Sequence, residues 1–71
     1  MATILDPKAI GAYLKKLRGT KTQSEVARAI GVTTMAISQY ENGDRIPRDE
    51  IKIKLAKYYD RTVEQLFFDK K

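Results

Sequence analysis

Thr34, Met35, Ser38, Gln39 and Asn42 recur at i, i+1, i+4, i+5 and i+8, the spacing of side chains that share one face of a helix. The set combines hydroxyls and carboxamides with one thioether. Base edges are read by hydrogen bonds and methyl contacts, and these groups can supply both. Gln39 can bond bidentately to adenine N6 and N7. Thr34 offers a hydroxyl or a methyl, Met35 can pack on a thymine methyl, and Ser38 suits a base or a phosphate. A merely solvated polar face is the competing account. It suits the threonine and serine but leaves an exposed methionine without a partner. The face carries no Arg or Lys, so the common Arg–guanine contact is absent and a preference for A·T pairs under Gln39 is expected.

The helix that carries this face needs a brace. Residues 22–42 contain two short amphipathic patterns meeting at Gly31. The first opens with Thr22-Gln23-Ser24-Glu25, a capping box that satisfies two backbone donors reciprocally. Val26, Ala27 and Ile30 form its inner side, and Gly31 can take the left-handed conformation that ends a helix and turns the chain. Thr33 can cap the second helix, with Val32, Ala36, Ile37 and Tyr40 inward. Asn42-Gly43-Asp44 ends it with turn chemistry. This is the layout of a helix-turn-helix, in which one helix braces and the next enters the major groove of DNA.

Three further helices complete an all-α, five-helix bundle. Asp6-Pro7 starts the first, with Ile10, Tyr13, Leu14 and Leu17 on one stripe and Gly19 as its stop. The fourth runs over residues 49–59 with Ile51, Leu55, Tyr58 and Tyr59 on one side, and Asp49 and Glu50 suit its dipole. Lys52, Lys54 and Lys57 read as a solvated face of it. Thr62-Val63-Glu64-Gln65 is another capping box, opening a short helix over residues 63–68. Lys70 and Lys71 should fray. Nothing alternates with period two, so no sheet is expected.

The chain of 71 residues, 42% hydrophobic, fits one small domain over residues 1–71. It has neither cysteine nor histidine, which excludes disulfides and ordinary zinc sites. No metal or cofactor is expected. Fourteen Lys and Arg against nine Asp and Glu give +5, a balance that favours an anionic partner. No apolar run spans a membrane, no leader pattern opens the chain, and no helix has the strongly basic amphipathic form of a membrane binder. A cytoplasmic location is expected. Without His or Cys, a phosphate loop or a paired-carboxylate cleft, an enzyme is not expected.

At this point the sequence resembles the Cro/repressor family, also called lambda-repressor-like or XRE-like helix-turn-helix regulators. The matching residues are Ile10, Gly11, Leu14, Lys15, Leu17 and Arg18, then Thr22, Gln23, Glu25, Val26 and Ala27. They continue through Gly31, Val32 and Thr33 and the run Ile37-Ser38-Gln39-Tyr40-Glu41-Asn42-Gly43. Ile46-Pro47, Leu55-Ala56-Lys57 and residues 63–68 extend the match, so it covers about residues 8–68. Three features depart from the pattern. The connection from Arg18 to Gln23 is shorter, Lys21 stands where an apolar residue usually precedes Thr-Gln, and Asp60-Arg61 replaces a Gly-Val pair.

The resemblance implies a lambda-repressor-like fold and sequence-specific binding of double-stranded DNA by a transcriptional regulator. A repressor or a Cro-like switch is meant, with phage or mobile elements among the sources. It implies that Gln23 donates to a DNA phosphate at the helix N-terminus, although an ordinary exposed residue after a cap is the plain alternative. Arg45 and Arg48 fall in a loop that touches phosphates, and Thr33, Asn42 and Lys21 are further backbone contacts. Arg48 idling in the first turn of the fourth helix is the alternative for that residue. Arg18 and Glu41 match a pair that forms a partly buried salt bridge between the first and third helices. A homodimer on a palindromic operator is implied, with recognition helices about 34 Å apart. Apolar residues among Val63, Leu66, Phe67 and Phe68 that the core leaves over would form its patch. A second reading makes the fold an antirepressor or antitoxin-type module that acts by binding another regulator protein.

Overall fold

In the computed structural model, which describes residues 3, 4 and 6–69, the chain folds as β1 (Thr3–Ile4), α1 (Pro7–Arg18), α2 (Gln23–Ile30), α3 (Thr34–Asn42), α4 (Asp49–Tyr58), α5 (Val63–Phe67) and β2 (Phe68–Asp69). Lys70 and Lys71, expected to fray, lie outside the described residues. Every helix except α4 starts where a side chain satisfies its first free N–H groups. Asp6 Oδ1 accepts from Lys8 N at 2.9 Å and Ala9 N at 3.1 Å. Thr22 and Glu25 close a capping box, at 3.0 and 3.2 Å, and Thr62 and Gln65 close another, at 3.0 and 2.9 Å. Thr33 Oγ1 accepts from Ala36 N at 3.0 Å. Arg48, at the N-cap of α4, gives its helix no side-chain cap.

Helix ends are equally specified. Gly31 has φ +85°, and both its N–H and that of Val32 donate to Ala27 O. Gly43 has φ +78°, with Asp44 N donating to Gln39 O at 2.9 Å. At the end of α4, Asp60 takes φ +56°. There Arg61 N donates to Ala56 O at 2.8 Å and Asp60 N to Lys57 O at 3.2 Å, a complete Schellman closure. The Asp60-Arg61 departure therefore preserves the turn, with a short polar residue where glycine is favoured.

The five helices surround one core. Ile10 and Leu14 come from α1, Val26, Ala27 and Ile30 from α2, Ala36, Ile37 and Tyr40 from α3, Leu55 and Ala56 from α4, and Leu66 and Phe67 from α5. Tyr13, Leu17, Val32, Ile51, Tyr58, Tyr59, Val63 and Phe68 pack partly buried around it.

Three expectations change. A small sheet exists: β1 and β2 pair antiparallel, with Thr3 opposite Asp69 and Ile4 opposite Phe68. Two-residue strands are too short to leave a period-two signature. Phe68 accordingly leaves the fifth helix, which ends at Phe67, and is extended at φ −125°, ψ 145°. Lys52 is not on a solvated face with Lys54 and Lys57; it is 9% exposed. Its ammonium lies 3.6 Å from Asp49 Oδ1 and 5.8 and 6.0 Å from the ring centroids of Phe67 and Phe68. The four-carbon stem fills apolar space while the charge rests on ring faces and a carboxylate.

At Gly11 the backbone of α1 comes close to that of α3. A Cβ added at Gly11 would stand 2.3 Å from Glu41 O and 2.6 Å from Tyr40 O. Two backbone carbonyls cannot yield as a flexible side chain can, so the helices touch only because this residue has no side chain. Gly11→Ala is expected to destabilise the fold by about 3 kcal/mol, the upper part of the range for overpacking. Urea unfolding followed by circular dichroism checks this; an unchanged midpoint would refute the close-packing account.

Candidate nucleic-acid interface

The centre of the site is a carboxylate on the inner side of α3. Glu41 is 7% exposed, and a bare charge at that depth would be costly. Arg18, the last residue of α1, donates from Nε to Glu41 Oε2 at 2.7 Å and from Nη2 to Oε1 at 3.1 Å. Gln23, the first residue of α2, donates from Nε2 to Oε1 at 3.0 Å. Arg18 Nη1 also donates to the Lys21 carbonyl, which closes the α1–α2 corner. One carboxylate thus joins three helices. Among the described residues no buried side-chain polar atom lacks a partner.

The protonation states follow from this geometry. The hydrogen bond to Glu41 outweighs desolvation and holds the Arg18 guanidinium above its usual pKa, so it remains a cation. Partial burial, with Glu41 negative nearby, pushes the Tyr59 phenol up to about 12 from 10.0. The Tyr59 ring also meets Tyr58 edge-on, with centroids 5.0 Å apart.

The outer side of α3 is open. Thr34 and Asn42 are exposed, Ser38 and Gln39 are half-buried, and Met35 is 70% exposed. Asn42 Nδ2 donates to Ser38 Oγ at 3.3 Å, so those two act as a unit. Gln39 has no side-chain hydrogen bond within the described residues. Neither acidic residues in the first turn nor basic ones in the last charge this helix.

The flanking residues divide. Gln23 stands at the first turn of α2, and its bond to Glu41 uses one of its two amide hydrogens. The Thr33 hydroxyl is occupied as an acceptor in its cap and keeps its own hydrogen for donation. Arg45 and Arg48 are exposed after α3 and share a groove of about 260 Å³ with Val32, Ala36, Tyr40, Glu50 and Ile51. The Arg45 guanidinium sits 5.9 Å from the Tyr40 ring centroid. Lys21 points elsewhere: its ammonium lies 4.7 Å above the Tyr58 ring and donates to the Tyr58 hydroxyl at 3.2 Å. Sequence reasoning missed the Gln23–Glu41 bond and the Tyr58 seat of Lys21. Both join residues far apart in the chain, and no local pattern announces such pairs.

A capped brace helix, a left-handed glycine corner and a second helix with an open outer face define the helix-turn-helix class of DNA-binding transcription regulators. The family described as Helix-turn-helix matches residues 12–66, and the chain belongs to it, in its Cro/repressor, XRE-like form. Among solved structures the chain is similar to the P22 c2 repressor protein in complex with synthetic operator 9T in the presence of Tl+. The TM-score is 0.78 at 25% identity, covering 80% of this chain and 89% of that one. No curated protein matches the chain. Among the described residues no helix is long and apolar enough to cross a membrane, and no group of acidic residues could hold a metal ion.

Removing Glu41 strands the Arg18 charge. Glu41→Ala is expected to cost about 3 kcal/mol, the low end for a broken buried pair because Arg18 keeps some contact with water. Replacing both partners together, Arg18→Met with Glu41→Met, should recover much of that loss. Denaturant unfolding of the single and double variants checks the sign, and an equally unstable double variant would overturn it. Tyr59 sets an alkaline limit. The unfolded chain loses this proton first, so its contribution is complete below pH 10 and declines as pH rises through about 12. The melting temperature should fall across that window, and less steeply in Tyr59→Phe.

Proposed function

We propose that the protein is a repressor or Cro-like switch that binds a palindromic operator as a homodimer. The observation that carries this is the outer face of α3: open, uncharged and mounted on a helix that the Glu41 network fixes to α1 and α2. Thr34, Met35, Ser38 and Gln39 read base edges, with Met35 against a thymine methyl and Gln39 on adenine. Gln23 donates to a phosphate with its remaining amide hydrogen, beside the free N–H groups of the α2 N-terminus. Thr33 and Asn42 assist from α3, and Arg45 and Arg48 supply the cationic contacts that position the domain. Lys21 contributes less, because Tyr58 already holds it. The likeness to a P22 repressor solved on operator DNA supports this reading and a phage or mobile-element derivation. The place of such a regulator is the cytoplasm, with the DNA, and no reaction is assigned to it.

The second copy docks on the C-terminal side. Leu66 and Phe67 are consumed by the core, whereas Val63 and Phe68 remain partly exposed beside Ile53, itself 49% exposed. With Asp49 and Lys52 they line a groove of about 300 Å³. Ile53→Glu is expected to convert dimer to monomer in sedimentation equilibrium without loss of helicity. A wild-type chain that stays monomeric at high concentration, with and without DNA, would remove the homodimer.

Selection of bound sequences from random duplexes tests the DNA reading. It should return two-fold symmetric sites with half-sites about 34 Å apart and A·T pairs under Gln39. Gln39→Ala should cost about 1–3 kcal/mol and relax preference at that pair alone. Arg45→Ala should weaken all duplexes and reduce the salt slope by about 1. An invariant G·C pair under Gln39 would overturn the assignment of that residue. A folded chain that ignores duplex DNA would leave the antirepressor or antitoxin-type role.

A further inference from the structure

The groove between α2 and α4 has no part in this DNA reading. It is lined by Ala29, Ile30, Lys54, Lys57 and Tyr58, measures about 400 Å³ and is open to solvent. Its floor is apolar: a methyl group, an isoleucine and the face of a phenol. Its rim is cationic. Lys54 and Lys57 are exposed, and among the described residues neither has an acidic partner at ion-pair distance. Lys21 does not line the groove; its ammonium is held by Tyr58, at 4.7 Å from the ring centroid and 3.2 Å from the hydroxyl. Of the lysines on α4, Lys52 alone is buried and paired, so Lys54 and Lys57 serve no similar structural purpose.

We infer that this groove docks an acidic amphipathic segment of a partner protein, one that sets apolar side chains on the Ala29–Ile30–Tyr58 floor and carboxylates against Lys54 and Lys57. Charge complementarity decides the occupant. A neutral apolar segment would cover two ammonium groups without compensating them, and a second copy of this chain would bring its own lysines to the same rim. An Asp- or Glu-bearing segment satisfies both surfaces at once. The volume fits a short peptide stretch, as in helix-in-groove recognition. No residue of α3 or of the loop over residues 43–48 lines the groove, so the partner can sit there while α3 remains open.

The probe is a synthetic acidic peptide, Glu-Leu-Glu-Glu-Leu-Phe-Asp-Glu, titrated into the isotopically labelled full chain and followed by amide chemical shifts. Saturable shifts are expected at Ala29, Ile30, Lys57 and Tyr58. A peptide with its acids changed to amides, and one with its apolar residues changed to serine, should each bind at least about tenfold more weakly. The double variant Lys54→Glu with Lys57→Glu should lose the acidic peptide by at least about tenfold while keeping its melting temperature and its affinity for duplex DNA. Shifts centred on α3 and the 43–48 loop would overturn the inference, since any polyanion would then be collected by the proposed DNA face. Absence of saturable binding would overturn it too. So would an equal loss of duplex affinity in the double variant, which would make the groove part of the DNA interface.

Discussion

The placement of α3 depends on one buried carboxylate. Glu41 belongs to the helix whose outer side is open, yet its side chain points inward and meets the end of α1 and the start of α2. A charge at that depth must be compensated, and the compensation has direction: a guanidinium offers its hydrogens in a fixed plane. Arg18 therefore constrains angle as well as distance. Apolar packing alone tolerates small slides of one helix along another, and a hydrogen-bonded carboxylate does not. The core of Ile10, Leu14, Ile37 and Tyr40 supplies cohesion between α1 and α3, and the Arg18–Glu41 pair fixes the register within it.

That register is possible only because α1 comes very close. Gly11 and Arg18 stand seven residues apart, two turns on one face of α1, and both address Glu41. Gly11 faces its carbonyl oxygen, and Arg18 grips its side chain. A bulkier residue at position 11 would push the helices apart and carry the guanidinium away from the carboxylate. At the C-cap of α3, two residues beyond Glu41, Gly43 both turns the chain at φ +78° and leaves room for Lys8, whose Cα a Cβ there would approach to 3.0 Å. Two glycines thus serve the same contact by different means: one permits proximity, the other also permits a backbone conformation closed to most residues.

Much of this was legible in the amino-acid order. Helix starts were, because Asp6, Thr22, Thr33 and Thr62 satisfy nearby N–H groups within a few residues of themselves. The buried stripes were, because helical period maps position onto face. What stayed hidden joins distant parts of the chain. The fate of Lys52 depends on Phe67 and Phe68, which arrive from another helix and a strand, so its own neighbourhood reads like that of Lys54 and Lys57. The pairing of Ile4 with Phe68 closes across almost the whole chain with two residues on each side. Lys21 stands at a usually apolar position, and its ammonium is seated on the Tyr58 ring, which arrives from α4. For the candidate site the types of side chain were legible, but the commitment of Gln23 to Glu41 was not, since an exposed glutamine after a cap has no local reason to turn inward.

The inward turn of Glu41 has an electrostatic consequence for the opposite side of the same helix. It is the only charged residue of α3, and it is buried against a guanidinium that stays protonated. A carboxylate left free there would lie near the first turn of α2 and oppose any phosphate drawn to that helix end. Paired, it projects little field, and α3 presents a face that is neutral in charge as well as in residue type. A neutral face gains little from nonspecific attraction to a polyanion; what it gains depends on the fit of each hydrogen bond and methyl contact. In the proposed DNA reading, attraction is left to the arginines beyond Gly43 and the N-terminus of α2. Separating the two in this way requires a rigid connection between them, since contacts that hold the backbone help to read bases only if the distance from one to the other is fixed. The three-helix clamp on Glu41 supplies that rigidity, with Gln23 at one of its hydrogen bonds and the proposed reading face on the far side of the helix that carries the carboxylate.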